Sequence, residues 1–214
     1  MRFTLLAIIF LFSIEMHANE PIYVYGNSHA ASFAEIPGCI IKWTGPTTMH
    51  RIGRDGLSFL DLRMKEIEEG ATIVFVYGEI DVRCHIGKQR DLFGRKQDEI
   101  IDSLARNYLL TIIQNLLFKK LTCIVCSVTP PSLGVDTPDY PIYGSLEDRV
   151  AITRQLNAKL ADLCARTRIL FLDIYDDYAK PDGTLNLALA PDGVHIHASC
   201  NEPIKRRLKQ LLKH

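Results

Sequence analysis

Along the chain, short unbroken runs of apolar residues are separated by longer stretches in which apolar residues recur every three or four positions. The runs fall at 22–25, 39–43, 72–77, 121–128 and 169–172. Runs of this length without polar alternation fit strands buried on both faces, as in a parallel sheet covered by helices. Between the third and fourth runs, Ile100, Ile101, Leu104, Tyr108, Ile112, Ile113, Leu116 and Leu117 repeat at helical spacing, which predicts one long helix with a single buried stripe. Ser145 and Asp148 have the spacing of a capping pair, opening a helix that carries Ile152, Leu156, Leu160 and Leu163 on one side. A further helix is expected over 57–69, stopped by Gly70. Strands alternating with helices predict a three-layer α/β/α sandwich around a five-stranded, mainly parallel sheet. Its ligand site should lie at the carboxyl ends of the strands. Pro130, Pro131, Pro138 and Pro141 mark a loop of the kind that borders such a site.

The first residues break this rhythm. Arg2 precedes an apolar run over 3–14, and Ala18 offers a small residue at a cleavage point. This is the pattern of a signal peptide over 1–18, with one domain over 19–214. The run is too short to span a bilayer comfortably, so no stable span is expected in the mature chain. Export to the periplasm or beyond the cell follows, with retention as an N-terminal membrane anchor as the competing reading. Of the six cysteines, Cys123 and Cys126 share one apolar run, where a strand sends residues three apart to opposite faces. They read as small buried hydrophobes rather than a redox pair, while Cys39, Cys84, Cys164 and Cys200 stay open to other roles.

Charge narrows the partners. Lysine plus arginine equal aspartate plus glutamate at 25 each, so no basic field exists to hold nucleic acid. The C-terminal cations Lys205, Arg206, Arg207, Lys209 and Lys213 suit the solvated end of a short amphipathic helix. The histidines 29, 50, 85 and 195, taken with Glu79 or Asp81, contain no pair at tight ligand spacing on one element, so no metal or other cofactor is implied.

Two segments carry chemistry. Directly after the first run comes Gly26-Asn27-Ser28-His29, which places the Ser28 hydroxyl at a strand-to-helix turn where developing negative charge is favoured. Serine needs a base to become a nucleophile. Near the other end, Asp192-Gly193-Val194-His195 supplies one, because a carboxylate three residues before a histidine can fold back onto one ring nitrogen while the other faces the hydroxyl. His197 is the rival base, but it lacks that spacing from Asp192.

In these residues the sequence resembles the SGNH/GDSL hydrolase family. The first block matches Gly26-Asn27-Ser28, the second matches Gly45 in Trp43-Thr44-Gly45-Pro46, and the last, Asp-x-x-His, matches Asp192 with His195. The resemblance implies a flavodoxin-like sheet and a serine esterase that works through a covalent acyl-enzyme. In it Ser28 attacks, His195 is the base, Asp192 orients the ring, and the amides of Ser28 and Gly45 hold the oxyanion. It also implies small-molecule, carbohydrate or lipid esters as substrates. O-acyl transfer to a carbohydrate differs only in the acceptor, and a non-catalytic binding domain is the reading from another class.

One block departs from the pattern. The family's Gly-x-Asn-Asp is here Gly78-Glu79-Ile80-Asp81, and isoleucine donates no hydrogen bond where the asparagine would. Polar residues crowd the neighbourhood: Glu79, Asp81, Arg83 and His85 follow the third run, and His50, Arg51 and Arg54 follow the second. Together they read as an anion-binding pocket. Arg83 is the first candidate for the missing donor, with His50 and Arg51 as alternates. The competing reading pairs Arg83 with Asp81 or Glu79.

Overall fold

The computed structural model describes residues 21–134 and 136–213. The expected signal peptide over 1–18 lies outside them. Strands β1 (Ile22–Gly26), β2 (Cys39–Trp43), β3 (Thr72–Val76), β4 (Thr122–Cys126) and β5 (Leu170–Leu172) pair in the order β2-β1-β3-β4-β5. Every pairing is parallel. The chain moves outward from β1 to β2 and then crosses to β3 on the other side, so the order reverses at β1, and crevices form beyond carboxyl ends at such a point.

Among the described residues six α-helices flank the sheet: α1 (Met49–Asp55), α2 (Gly87–Phe93), α3 (Gln97–Leu116), α4 (Leu146–Ala165), α5 (Tyr175–Tyr178) and α6 (Glu202–Leu211). Tyr23, Tyr25, Ile73 and Phe75 on one face of the sheet share a core with Met49, Ile52, Tyr108, Ile112, Leu156 and Leu160 from α1, α3 and α4. Val24, Val74, Val76 and Ile124 on the other face share a core with Phe33, Ile204 and Leu208. Truncating a buried leucine such as Leu156 to alanine in cores like these costs about 2 to 5 kcal/mol.

Strand alternation sorts the β4 cysteines as expected, with Cys123 in the first core and Cys126 in the second. Both are free thiols, and burial pushes Cys123 up to about 12, well away from reactive thiolate. Helix α4 begins with the full capping box of Ser145 and Asp148. Inside it, Asn157 takes the amide of Val128 at 2.7 Å and donates to its carbonyl at 2.9 Å, tying α4 to the end of β4.

Two expectations are corrected. Residues 57–69 form no α-helix, only short 3-10 turns at Gly56–Ser58 and Leu62–Met64. Asn115 on α3 explains this, because its amide donates to the carbonyl of Leu60 at 3.0 Å and accepts the amide of Leu62 at 2.8 Å. Those backbone groups are thereby satisfied outside a helical ladder. Nor is β2 buried on both faces: it is an edge strand, with Ile40 and Trp43 exposed.

Candidate active site

The turn after β1 is tight because nothing larger than glycine fits at its start. A Cβ on Gly26 would lie 2.7 Å from the carbonyl oxygen of Val76 and 2.8 Å from Cβ of Ala30. Asn27 is buried and its side-chain oxygen accepts the amide of His29 at 3.0 Å, which shapes the entry to a 3-10 helix over Ser28–Phe33. Ser28, at the head of that turn, is left exposed. The expected helix after Ser28 is thus a short, tightly wound one.

The distant segment arrives at the same point. Nε2 of His195 lies 2.7 Å from Oγ of Ser28, and Nδ1 lies 2.7 Å from Oδ2 of Asp192. The other carboxylate oxygen of Asp192 accepts the amides of Val194 at 2.8 Å and His195 at 2.7 Å, so the three-residue spacing closes a small ring around the carboxylate. Desolvation pushes the Asp192 carboxyl up, but those two amides and the imidazole outweigh it and hold it at about 2. His197 faces elsewhere: its Nδ1 lies 2.7 Å from Oγ of Ser199.

Loops after β2 and β3 complete the rim. The Thr44 amide donates to the carbonyl of Gly26 at 2.9 Å, which fastens the Gly45 loop beside the Ser28 turn. Asn27 adds a longer contact from Nδ2 to the carbonyl of Thr47 at 3.5 Å. Gly45 itself has φ +72, a conformation that glycine adopts without penalty. At the end of β3, Gly78 has φ +112, and a Cβ there would meet Val128 Cγ2 at 2.5 Å and Met49 Cε at 2.8 Å. Asp81 is fully buried and accepts the amides of Met49 at 2.7 Å and His50 at 3.0 Å, holding the start of α1 against the third loop. Burial raises its carboxyl to about 7 despite those two donors.

The candidate donors separate. Arg83 pairs with Glu79, through Nε to Oε1 at 2.7 Å and NH2 to Oε2 at 3.2 Å, which is the competing reading of that residue. Burial pushes the Glu79 carboxyl up, yet His29 and Arg83 together hold it at about 2. His50 stacks on His85 with ring centroids 4.0 Å apart. Arg51 turns to the ring of Phe59, its guanidinium carbon 4.5 Å from the centroid. Ile80 is buried. The single anion-binding pocket expected of Glu79, Asp81, Arg83, His85, His50, Arg51 and Arg54 is instead divided. Glu79 and Arg83 engage each other, Asp81 engages backbone amides, and only His50, Arg54 and His85 line one cavity.

Sequence reasoning weighed His29 only as a metal ligand and gave it no place beside the Ser28–His195 pair. It is buried, its ring centroid lies 4.7 Å from that of His195, and its Nε2 lies 3.6 Å from Oε2 of Glu79, an ion-pair distance rather than a hydrogen bond. Its position next to Ser28 was the available signal. Among the described residues, no group of three histidine, cysteine, aspartate or glutamate side chains is arranged to hold a metal ion, and no helix is long and apolar enough to cross a membrane.

No protein-family model and no curated relative matches the chain. Solved structures do. A GDSL-like lipase from Bacteroides thetaiotaomicron is similar at 16% identity over 90% of this chain and 87% of that chain, with a TM-score of 0.58. A catalytic mutant of an acetylxylan esterase from Geobacillus stearothermophilus matches at 14% identity over 91% of this chain and 94% of its own, with a TM-score of 0.57. The aryl esterase of M. smegmatis matches at 11% identity over 90% of this chain and 99% of its own, with a TM-score of 0.53. With its parallel five-stranded sheet and these neighbours, the chain has the SGNH/GDSL hydrolase fold.

Proposed function

We propose that the chain is a serine esterase that hydrolyses carboxylic esters through an acyl-enzyme. The observation that carries this reading is the continuous contact from Ser28 Oγ through His195 to Asp192, each step 2.7 Å long. Ser28 attacks the ester carbonyl while Nε2 of His195 takes its proton, and the tetrahedral oxyanion lies against the amides of Ser28 and Gly45. Collapse expels the alcohol, which receives the proton from His195. Water then gives a proton to His195 and attacks the acyl-serine, and the acid leaves as Ser28 recovers its proton. Asp192 keeps the imidazole oriented and stabilises its charged form, and its low carboxyl pKa keeps it ionised throughout.

The open surface around Ser28 and the exposed indole of Trp43, which immediately precedes Thr44 and Gly45, suit an acyl group projecting from a bulky polar body such as a carbohydrate. The acetylxylan esterase among the structural neighbours acts on a substrate of that class. Export directed by residues 1–18 belongs to the same reading, and N-terminal sequencing of the secreted protein tests it. The activity itself is tested by intact-mass analysis after treatment with a fluorophosphonate: one adduct on the native chain and none on Ser28→Ala is the expected result. Absence of an adduct on the native chain overturns the reading.

A further inference from the structure

A second concave site lies between α1, the start of α3 and the π-helical turn over Asp81–Ile86 that leads into α2. It is a cavity of about 220 Å³ into which His50, Arg54, His85, Arg95, Ser103 and Asn107 project. No aspartate or glutamate lines it. Asp55, beside Arg54, is already engaged: Arg54 holds both of its oxygens, and Arg51 approaches one at 3.7 Å. Arg95 makes no ion pair with any described residue, and its one side-chain hydrogen bond among them is a long one to Gln89 at 3.4 Å. Three nitrogen-rich side chains without a carboxylate partner among the described residues, His50, His85 and Arg95, therefore border one small space beside the Arg54–Asp55 pair.

The histidines add a second observation. Their rings stack at 4.0 Å and 25°, and no described residue hydrogen-bonds to any of the four ring nitrogens. Two half-buried imidazoles with idle nitrogens beside an arginine have donor capacity that the protein itself does not use. We propose that this cavity is a binding site for a tetrahedral dianion, the phosphoryl or sulfuryl group of a ligand, held by His50, His85 and Arg95, with the Arg54–Asp55 pair at its edge. Arginine suits this role because its planar fork matches two oxygens of such a group.

A pH dependence follows. Burial, then Arg54, holds His50 below the ordinary histidine range, with Asp55 opposing and Arg95 assisting. Burial, then His50, Arg95 and Lys88, lowers His85 to about 4. Both rings are therefore biased towards the neutral form, and a bound dianion supplies the charge that lets a ring take a proton. Linkage then requires affinity to rise as pH falls, because the bound form holds its proton more tightly than the free form.

The test is a titration of sodium sulfate, a dianion across the whole pH range used, into the full chain at constant ionic strength set with sodium chloride. It is followed by calorimetry and by the ring proton resonances of His50 and His85. We expect saturable shifts at both histidines and several-fold tighter binding at pH 5.5 than at 7.5. Arg95→Gln, on an exposed loop where folding is not at stake, should weaken binding about tenfold, the loss of one charge-assisted contact. His85→Asn should remove most of the pH dependence. Repeating the titration with inorganic phosphate at pH 7.5 separates general dianion binding from preference for phosphate. Ser28→Ala should bind sulfate as the native chain does, so failure of the esterase reading leaves this one standing. Shifts that chloride reproduces at equal ionic strength, or unchanged affinity in Arg95→Gln, overturn it.

Discussion

Arg83 and Glu79 lie fork to fork, with Nε 2.7 Å from Oε1 and NH2 3.2 Å from Oε2, and both side chains are largely buried. The pair fixes what Arg83 does. A guanidinium occupied by a buried carboxylate is a structural partner, and the carboxylate in turn faces His29, whose ring packs against that of His195. Removing one member of such a pair leaves the other charge buried without its complement, which costs about 3 to 5 kcal/mol. Arg83→Ala should therefore lower the urea midpoint strongly, and Arg83→Ala with Glu79→Ala should be less destabilised than the two single losses added together. Additive losses in that cycle remove the pair from the account of stability.

For the base, the contact of His195 with both Ser28 and Asp192 sets an order of effects. His195→Ala should lower kcat for a short-chain p-nitrophenyl ester by about 10⁴-fold or more. His197→Ala should leave kcat near the native value, because its ring is held by Ser199. Asp192→Asn should lower kcat with little change in KM, since the carboxylate touches the imidazole and two amides rather than the ester. A larger loss from His197→Ala than from His195→Ala would move the base to His197.

Ser28, Asp192 and His195 were legible in the sequence because each rests on local geometry. A glycine turn ends a strand, and three residues separate a carboxylate from an imidazole. The strands were legible because burial inside a parallel sheet leaves continuous apolar runs. What was hidden depends on partners far along the chain. Residues 57–69 look helical until Asn115 takes the Leu60 carbonyl and the Leu62 amide. Trp43 ends an apolar run that reads as core, yet it sits on an edge strand, and edge position is a property of strand order. Arg83 could be assigned to Glu79 only once Glu79 was known to be buried against His29. The His50–His85 stack joins α1 to the π-helical turn over Asp81–Ile86, whose approach is fixed by Asp81 accepting the first amides of α1, a contact with no signature in either segment.

His85 gives a pH dependence of stability. Its folded pKa, about 4, lies below the ordinary histidine value near 6.5, so the unfolded chain binds that proton more tightly. The stability due to the neutral ring is therefore present above about 6.5 and is lost as pH falls towards 4. Asp81 acts in the opposite direction, because its raised pKa makes the folded chain hold a proton more tightly as pH falls. That contribution is common to native and His85→Asn proteins. Between pH 7 and 4.5 the native chain should thus lose more of its urea midpoint than His85→Asn does. Parallel curves would show that His85 is not held neutral by the fold.

Gly45 separates the two backbone donors. Its φ of +72 is unfavourable for any residue with a Cβ, yet no heavy atom lies within 4 Å of where that Cβ would stand. Gly45→Ala therefore meets no collision, and its whole cost is conformational, about 1 to 2 kcal/mol. The chain can relieve that strain by rotating towards negative φ, and Gly45 sits in a loop fastened at Thr44 and Thr47 rather than in a strand or helix. In the proposed mechanism such a rotation would take its N–H out of the role of oxyanion donor. With Ile80 unable to donate and Arg83 held by Glu79, the amide of Ser28 would then be left without its companion. Loss of one oxyanion donor typically lowers kcat by about 10²- to 10³-fold, and Gly45→Ala should approach that loss while KM stays near its native value. The measurement is kcat and KM on the same p-nitrophenyl ester, beside the thermal midpoint. An unchanged kcat accompanied by a lowered midpoint would mean that the strain is stored rather than relieved, and that the Gly45 amide keeps its aim.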